Sequence, residues 1–116
     1  MELTGQCKEA FEKWFIDKEL QLYIIEDLHC AMVDFYKMYP SMQYGVYVDF
    51  FDSVGIYIDV VVIVCGFELS IWKRNIEKDV YCVSRLVDSK TRHEARAKAI
   101  ETANEIYNEQ SETAQT

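Results

Sequence analysis

The sequence predicts an α+β domain: N-terminal helices, then a three-stranded antiparallel β-meander, then a C-terminal helix packed on the sheet. Three observations lead there. Before residue 40, apolar residues recur at the spacing of amphipathic helices. After Gly55 the pattern becomes IYIDVVVIV, a β-branched and nearly unbroken apolar run that reads as a strand covered on both faces. From Thr91 a capping signal opens an alanine-rich helical stripe.

Taken in order, residues 6–16 read as a helix with Cys7, Ala10, Phe11, Trp14 and Phe15 on one side and Lys8, Glu9, Glu12 and Lys13 on the other. Glu9 and Lys13 form an i,i+4 pair in the favourable order. A second apolar face follows at Ile25, Leu28, Met32, Phe35, Tyr36 and Tyr39, opposed by Glu26, Asp27, Cys30, Asp34 and Lys37. One helix over 6–39 would extend about 50 Å, longer than the roughly 35 Å diameter of a compact chain this size. Lys18 also interrupts the seam, so a break is expected at residues 16–19. Pro40 cannot continue the preceding helix and is suited to start the next.

Residues 41–54 are ambiguous in pattern. Val46, Val48 and Phe50 alternate as in a strand, whereas Met42, Val46, Phe50 and Val54 step by four. The run Asp52-Ser53-Val54-Gly55 before Ile56 has the form of a helix that ends on a left-handed glycine, so helix is favoured. Gly66 permits a tight turn after the first strand. FELSIWK then alternates, residues 74–79 read as a polar loop, and residues 80–87 as a third strand. In the last helix Ala95, Ala99, Ile100, Ala103, Ile106 and Tyr107 form one stripe, with alanines small enough for close approach to a sheet. The domain is expected to span residues 1–108, and the polar residues 109–116 to fray.

Composition limits the functional classes. The chain has 116 residues, half of them hydrophobic, which suits one domain with its own core. Its four cysteines, Cys7, Cys30, Cys65 and Cys82, form no CxxC pair and lie in apolar or amphipathic runs, so they read as reduced thiols that mostly fill the core. No signal peptide is read at the N-terminus. The longest uncharged apolar run has eight residues, against the roughly 20 of a membrane span. A soluble, cytoplasmic protein with no membrane contact is expected. The net charge of −8 argues against general phosphate binding. Its distribution is uneven: residues 1–72 carry four basic and twelve acidic side chains, residues 73–98 eight and four, and residues 99–116 none and four.

Catalytic signals are sparse. Asp49 and Asp52 would share a helix face and Asp59 follows on the strand, a set that could hold a divalent cation or exchange protons. No histidine, glycine-rich loop or Ser/His pairing completes a site, and solvated helix-surface and cap aspartates are the preferred reading. His29 and Cys30 are adjacent and point apart on a helix, and His93 belongs to an exposed helix start. Cys65 and Cys82 read as inert strand thiols, without the electropositive, open setting of a nucleophile. The expectation is a protein that is not an enzyme, with no cofactor and no metal.

Two surfaces remain. Tyr57, Val61, Ile63 and Trp72 would lie on the sheet face opposite Ile56, Ile58 and Val60. Either helices cover both faces, or this one is left for a protein partner, a second copy of the chain among the candidates. The cluster Lys90, Arg92, Arg96 and Lys98 opens the last helix. With the α-β-β-β-α order, residues 85–105 resemble a double-stranded RNA-binding domain, which implies phosphate contacts from that helix start. Glu94 within the cluster and the acidic remainder of the chain leave such binding weak and salt-sensitive, and a solvated helix face is the preferred reading.

Residues 40–60, PSMQYGVYVDFFDSVGIYIDV, and 90–108, KTRHEARAKAIETANEIYN, resemble segments of small uncharacterised proteins encoded by phages, prophages and mobile elements of gut bacteria. The resemblance implies an intracellular accessory protein that binds a host or phage protein. It implies no activity and transfers no functional residue. The expected role is therefore non-enzymatic protein–protein interaction, with weak nucleic-acid binding as the alternative.

Overall fold

The first helix is closed off by the last one. Gly5 opens it at φ +61, a conformation that disfavours a side chain. The orphan amides of that first turn are met from the far end of the chain. Thr4 N–H donates to Asn104 Oδ1 at 2.9 Å and Cys7 N–H to Asn108 Oδ1 at 2.9 Å. The two asparagines also return donors, Asn104 Nδ2 to Thr4 Oγ1 and Asn108 Nδ2 to the Thr4 carbonyl, each at 3.0 Å. Among the described residues no local side chain does this work, so the first helix acquires its cap only as the chain ends meet.

The structure is a computed structural model describing residues 2–22, 28–75, 77 and 79–115. The elements are α1 (Gly5–Leu22), α2 (Leu28–Tyr36), α3 (Pro40–Ser53), β1 (Ile56–Ile63), β2 (Gly66–Arg74), β3 (Val80–Ser89) and α4 (Arg92–Gln115). This is the predicted α+β arrangement. Residues 41–53 of the 41–54 segment are helical as expected, with Pro40 in the first turn and Val54 as the C-cap. Gln43 fixes the α2–α3 corner by donating from Nε2 to the carbonyls of Phe35, Tyr36 and Met38, each at 3.2 Å. α3 ends where the left-handed Gly55, at φ +78, turns the chain into β1. Arg74 N–H then donates to the Gly55 carbonyl at 3.0 Å, so the corner is tied to the end of β2.

The strands form an antiparallel meander in the order β1-β2-β3. Ile58 pairs with Ile71, Val60 with Leu69, and Ile63 with Gly66 across a two-residue turn. Between β2 and β3 the register shifts twice, at residues 67–69 and 71–72. Ile56, Leu69 and Ile71 are fully buried and join Phe50, Phe51, Ala99 and Ile100 in one core. α3 and α4 rest on this face of the sheet, and α1 packs on both helices. Phe11 is central to the helical side, with ring centroids 4.9–5.4 Å from Tyr47, Phe35 and Phe50. The shortest extent of the molecule is 22 Å, the thickness of a sheet and one layer of helices.

Several expectations are corrected. α1 does not break at residues 16–19 but continues to Leu22, because Ile16-Asp17-Lys18-Glu19 contains no breaker and size only demands a break somewhere before α2. The readings for Ile25, Glu26 and Asp27, and for the side chains of Leu28, His29 and Cys30, lie outside the described residues. The buried stripe of α3 is Tyr47, Phe50 and Phe51, whereas Met42 and Val54 of the four-step series are exposed. β1 is not covered on both faces: it is an edge strand, Val61 on its open face is exposed, and Val62 in the helix-facing row lies beyond the helices' cover. Cys7 fills the core as predicted, but Cys65 in the β1–β2 turn and Cys82 on β3 are exposed. α4 continues as helix past Asn108 to Gln115, through residues expected to fray.

Candidate functional site: the open face of the sheet

Strand alternation divides the sheet's side chains between two faces. Ile56, Ile58, Val60, Leu69, Ile71 and Leu86 point to the helices. The opposite face carries Tyr57, Asp59, Val61 and Ile63 from β1, Glu68, Ser70 and Trp72 from β2, and Cys82, Arg85 and Val87 from β3, by the observed pairing. No helix among the described residues covers it. Val61 and Val87 are 42% and 54% exposed, and Val83 at the bulge is 42% exposed, whereas Tyr57, Ile63 and Trp72 are half-buried by their neighbours.

The four predicted residues share this face but do not form one patch. Tyr57 is the direct cross-strand partner of Trp72. Val61 and Ile63 lie toward the hairpin turn, about 13 Å and about 20 Å further along at the usual rise per residue. Asp59, Ser70 and Arg85 run across the strands between the two ends. Polar contacts hold the face in place. Trp72 Nε1 donates to Ser70 Oγ at 3.1 Å, which leaves Ser70 nearly buried. Arg74 lies over the Tyr57 ring at 5.5 Å, and Arg85 Nε bridges Glu68 Oε1 at 2.9 Å across β2 and β3. The result is two apolar ends with a fixed polar belt between them, a surface that can be read by shape and by charge. Sequence periodicity found the face. It missed Val83 and Val87, because β3 alternates poorly where its register shifts.

The basic cluster is partly committed within the chain. Arg92 lies over the Phe67 ring at 5.5 Å and Arg96 over the Tyr44 ring at 4.9 Å, packing the helix start onto the sheet and α3. Lys90 and Lys98 are exposed. Glu94 N–H donates to Thr91 Oγ1 at 3.1 Å, the threonine half of the predicted capping box.

Asp49 and Asp52 lie along a groove of about 620 Å³ between α1 and α3, with Trp14, Phe15 and Val46 as apolar walls and Lys18 and Ser53 at the rim. Asp59 does not line it. Burial raises the Asp52 carboxyl above its ordinary value, and the neighbouring Asp49 charge adds to this. Burial pushes the Cys7 thiol up to about 12, so it remains a protonated core filler. Burial likewise pushes the Tyr36 hydroxyl up to about 12, with the Glu12 carboxylate that accepts its hydrogen bond at 3.3 Å contributing. Among the described residues, no group of three or more His, Cys, Asp or Glu side chains is placed to hold a metal ion. Within the same residues, no helix is long and apolar enough to cross a membrane.

Comparison with family models, with curated proteins and with solved structures finds no match for this chain.

Proposed function

We propose that this protein is a non-enzymatic accessory protein that acts in the cytoplasm by binding another protein through the open face of its sheet. One observation carries the reading. The helices cover one face of the sheet, and the other face presents exposed Val61 and Val87 beside half-buried Tyr57, Ile63 and Trp72. Bare β-branched and aromatic surface of this kind marks an interaction site more often than an ordinary exterior. Trp72 and Tyr57 are the residue types that anchor interfaces, and here cross-strand pairing and polar contacts already hold both in place. The resemblance of residues 40–60 and 90–108 to phage and mobile-element proteins supports an accessory setting, with a host or phage protein as the partner.

The test compares the native chain with a variant in which Val61 and Val87 are both replaced by glutamate. Both changes are at exposed positions, so circular dichroism should be unchanged. Each protein is immobilised and exposed to lysate of gut bacteria. A partner held by the native chain and lost by the variant supports the reading. Identical captures, or none, count against it.

A further inference from the structure

We infer that the free edge of β1 is a self-association site, at which a second copy of this chain adds its own β1 antiparallel to the first. The inference rests on the reading that the protein works through protein contacts, but it uses the rim of the sheet rather than its open face.

In the order β1-β2-β3 the sheet has two edges. An edge strand presents a row of unpaired N–H and C=O groups, and proteins usually guard it with lysines, prolines, bulges or short strands. β3 is guarded by two register shifts and by the charge of Arg85. β1 has none of the register shifts, and Asp59 is its one guarding charge. Its eight residues pair with β2 in unbroken register, and it contains neither proline nor lysine. Toward the turn it is bare: Val62 is 68% exposed and Val64 fully so. Among the described residues, no backbone hydrogen bond from a turn or loop reaches residues 57–63.

The strand's own sequence names the occupant. A two-fold axis through Val60 sets Ile58 opposite Val62 and Asp59 opposite Val61 of the second copy, with Val60 opposite itself. Opposite residues in an antiparallel pair share a face. The helix-facing row of Ile58, Val60 and Val62 would therefore continue unbroken from one copy into the next. The carboxylate is set opposite a valine, with its own copy on the diagonal about 7–8 Å away, whereas an axis through Asp59 would oppose two like charges directly. A β1 edge is thus complementary to itself in pattern, with no like charges directly opposed, and any other strand would have to reproduce that pattern.

Analytical ultracentrifugation of the full chain under reducing conditions tests this, at concentrations up to about 200 µM, well above a micromolar Kd. The native chain should be a reversible dimer. Val62→Lys and Val62→Pro should weaken it at least about tenfold, a loss of about 1.4 kcal/mol, with unchanged circular dichroism. Val83→Glu, on β3, should leave the dimer intact. A native chain that stays monomeric throughout overturns the inference and leaves the open-face reading to its own capture test. A dimer lost in Val83→Glu and kept in Val62→Lys also overturns it, since association then uses β3 rather than β1. If Val62→Pro does not fold, Val62→Lys decides. Register is read by oxidation in a chain with Cys65 and Cys82 replaced by serine. Opposed residues lie about 4.5–5.5 Å apart, within disulfide reach. Val60→Cys should give a crosslinked dimer and Asp59→Cys should not, and the reverse result would overturn the axis through Val60.

Discussion

Single residues hold this fold in two different ways. Phe11 works by volume. It is fully buried and its ring meets those of Trp14, Phe15, Phe35, Tyr47 and Phe50, so it joins α1, α2 and α3. Phe11→Ala should cost about 3–5 kcal/mol, read as a lower urea midpoint with little change in slope. A cost below about 1 kcal/mol would mean that the site collapses around the loss. Asn104 and Asn108 work by direction. They cap α1 from a distance of a hundred residues, and their spacing of four places both on one side of α4. Asn104→Ala would remove the two hydrogen bonds that nearly buried Asn104 makes to Thr4 and with them part of the α1 cap, at a cost of about 0.5–2 kcal/mol. Gly5→Ala should be similarly harmful. The new Cβ would stand 3.2 Å from Asn108 Oδ1, and φ +61 alone costs a side chain about 1–2 kcal/mol. Combining Asn104→Ala with Gly5→Ala should cost less than the sum, because both disturb one network. Strict additivity in urea melts would show that the two act separately.

At the scale of elements, the C-terminus of α3 is a conflict that pH should expose. Asp49 and Asp52 sit near the negative end of the helix dipole, no basic residue occupies that last turn, and Asp52 is held above its ordinary pKa by burial and then by Asp49. An acid with a raised native pKa binds its proton more tightly folded than unfolded. Its ionisation therefore opposes folding, and stability falls as pH rises through the carboxylate range. Asp52→Asn should raise the melting temperature slightly at pH 7, by less than about 0.5 kcal/mol in stability. The gain should vanish below about pH 4, where the native acid is protonated. A gain that persists at low pH would place the effect in packing instead. α4 carries the second conflict, between packing and phosphate binding. With Arg92 and Arg96 lying over Phe67 and Tyr44, two exposed lysines remain to meet a duplex. Gel shift with duplex RNA or DNA at about 50 mM salt should show no retained complex. A complex lost in Lys90→Ala with Lys98→Ala would restore the nucleic-acid reading. The capping box, the alanine stripe and the turn at Gly55 were legible because each is a local pattern with a local cause. The end of α1 was not, since nothing in residues 16–22 stops a helix. Nor were the exposed positions of Cys65 and Cys82, since an apolar run does not say whether it lies at the middle or the rim of a sheet.

For the whole molecule, the sequence distinguished the two faces of the sheet but not their coverage. That depends on which way the chain turns at Gly55 and after Ser89, and both turns place helices on the same side. Coverage of one face makes a two-layer protein with two apolar surfaces, the open face and the β1 edge, on a chain of net charge −8. Charge and apolar surface then oppose each other in self-association. Two copies repel over a distance set by ionic strength, about 30 Å at 0.01 M and about 8 Å at 0.15 M, whereas pairing of β1 strands brings in only one charge per copy, Asp59. Adding salt should therefore remove repulsion and leave the edge contact intact, so the dimer should tighten from 0.01 to 0.15 M. Sedimentation equilibrium at the two salt concentrations measures it directly. A dimer that loosens with salt would instead be held by ion pairs, and Glu68 and Arg85, already bridged within one copy, would be the first to exchange partners across the interface.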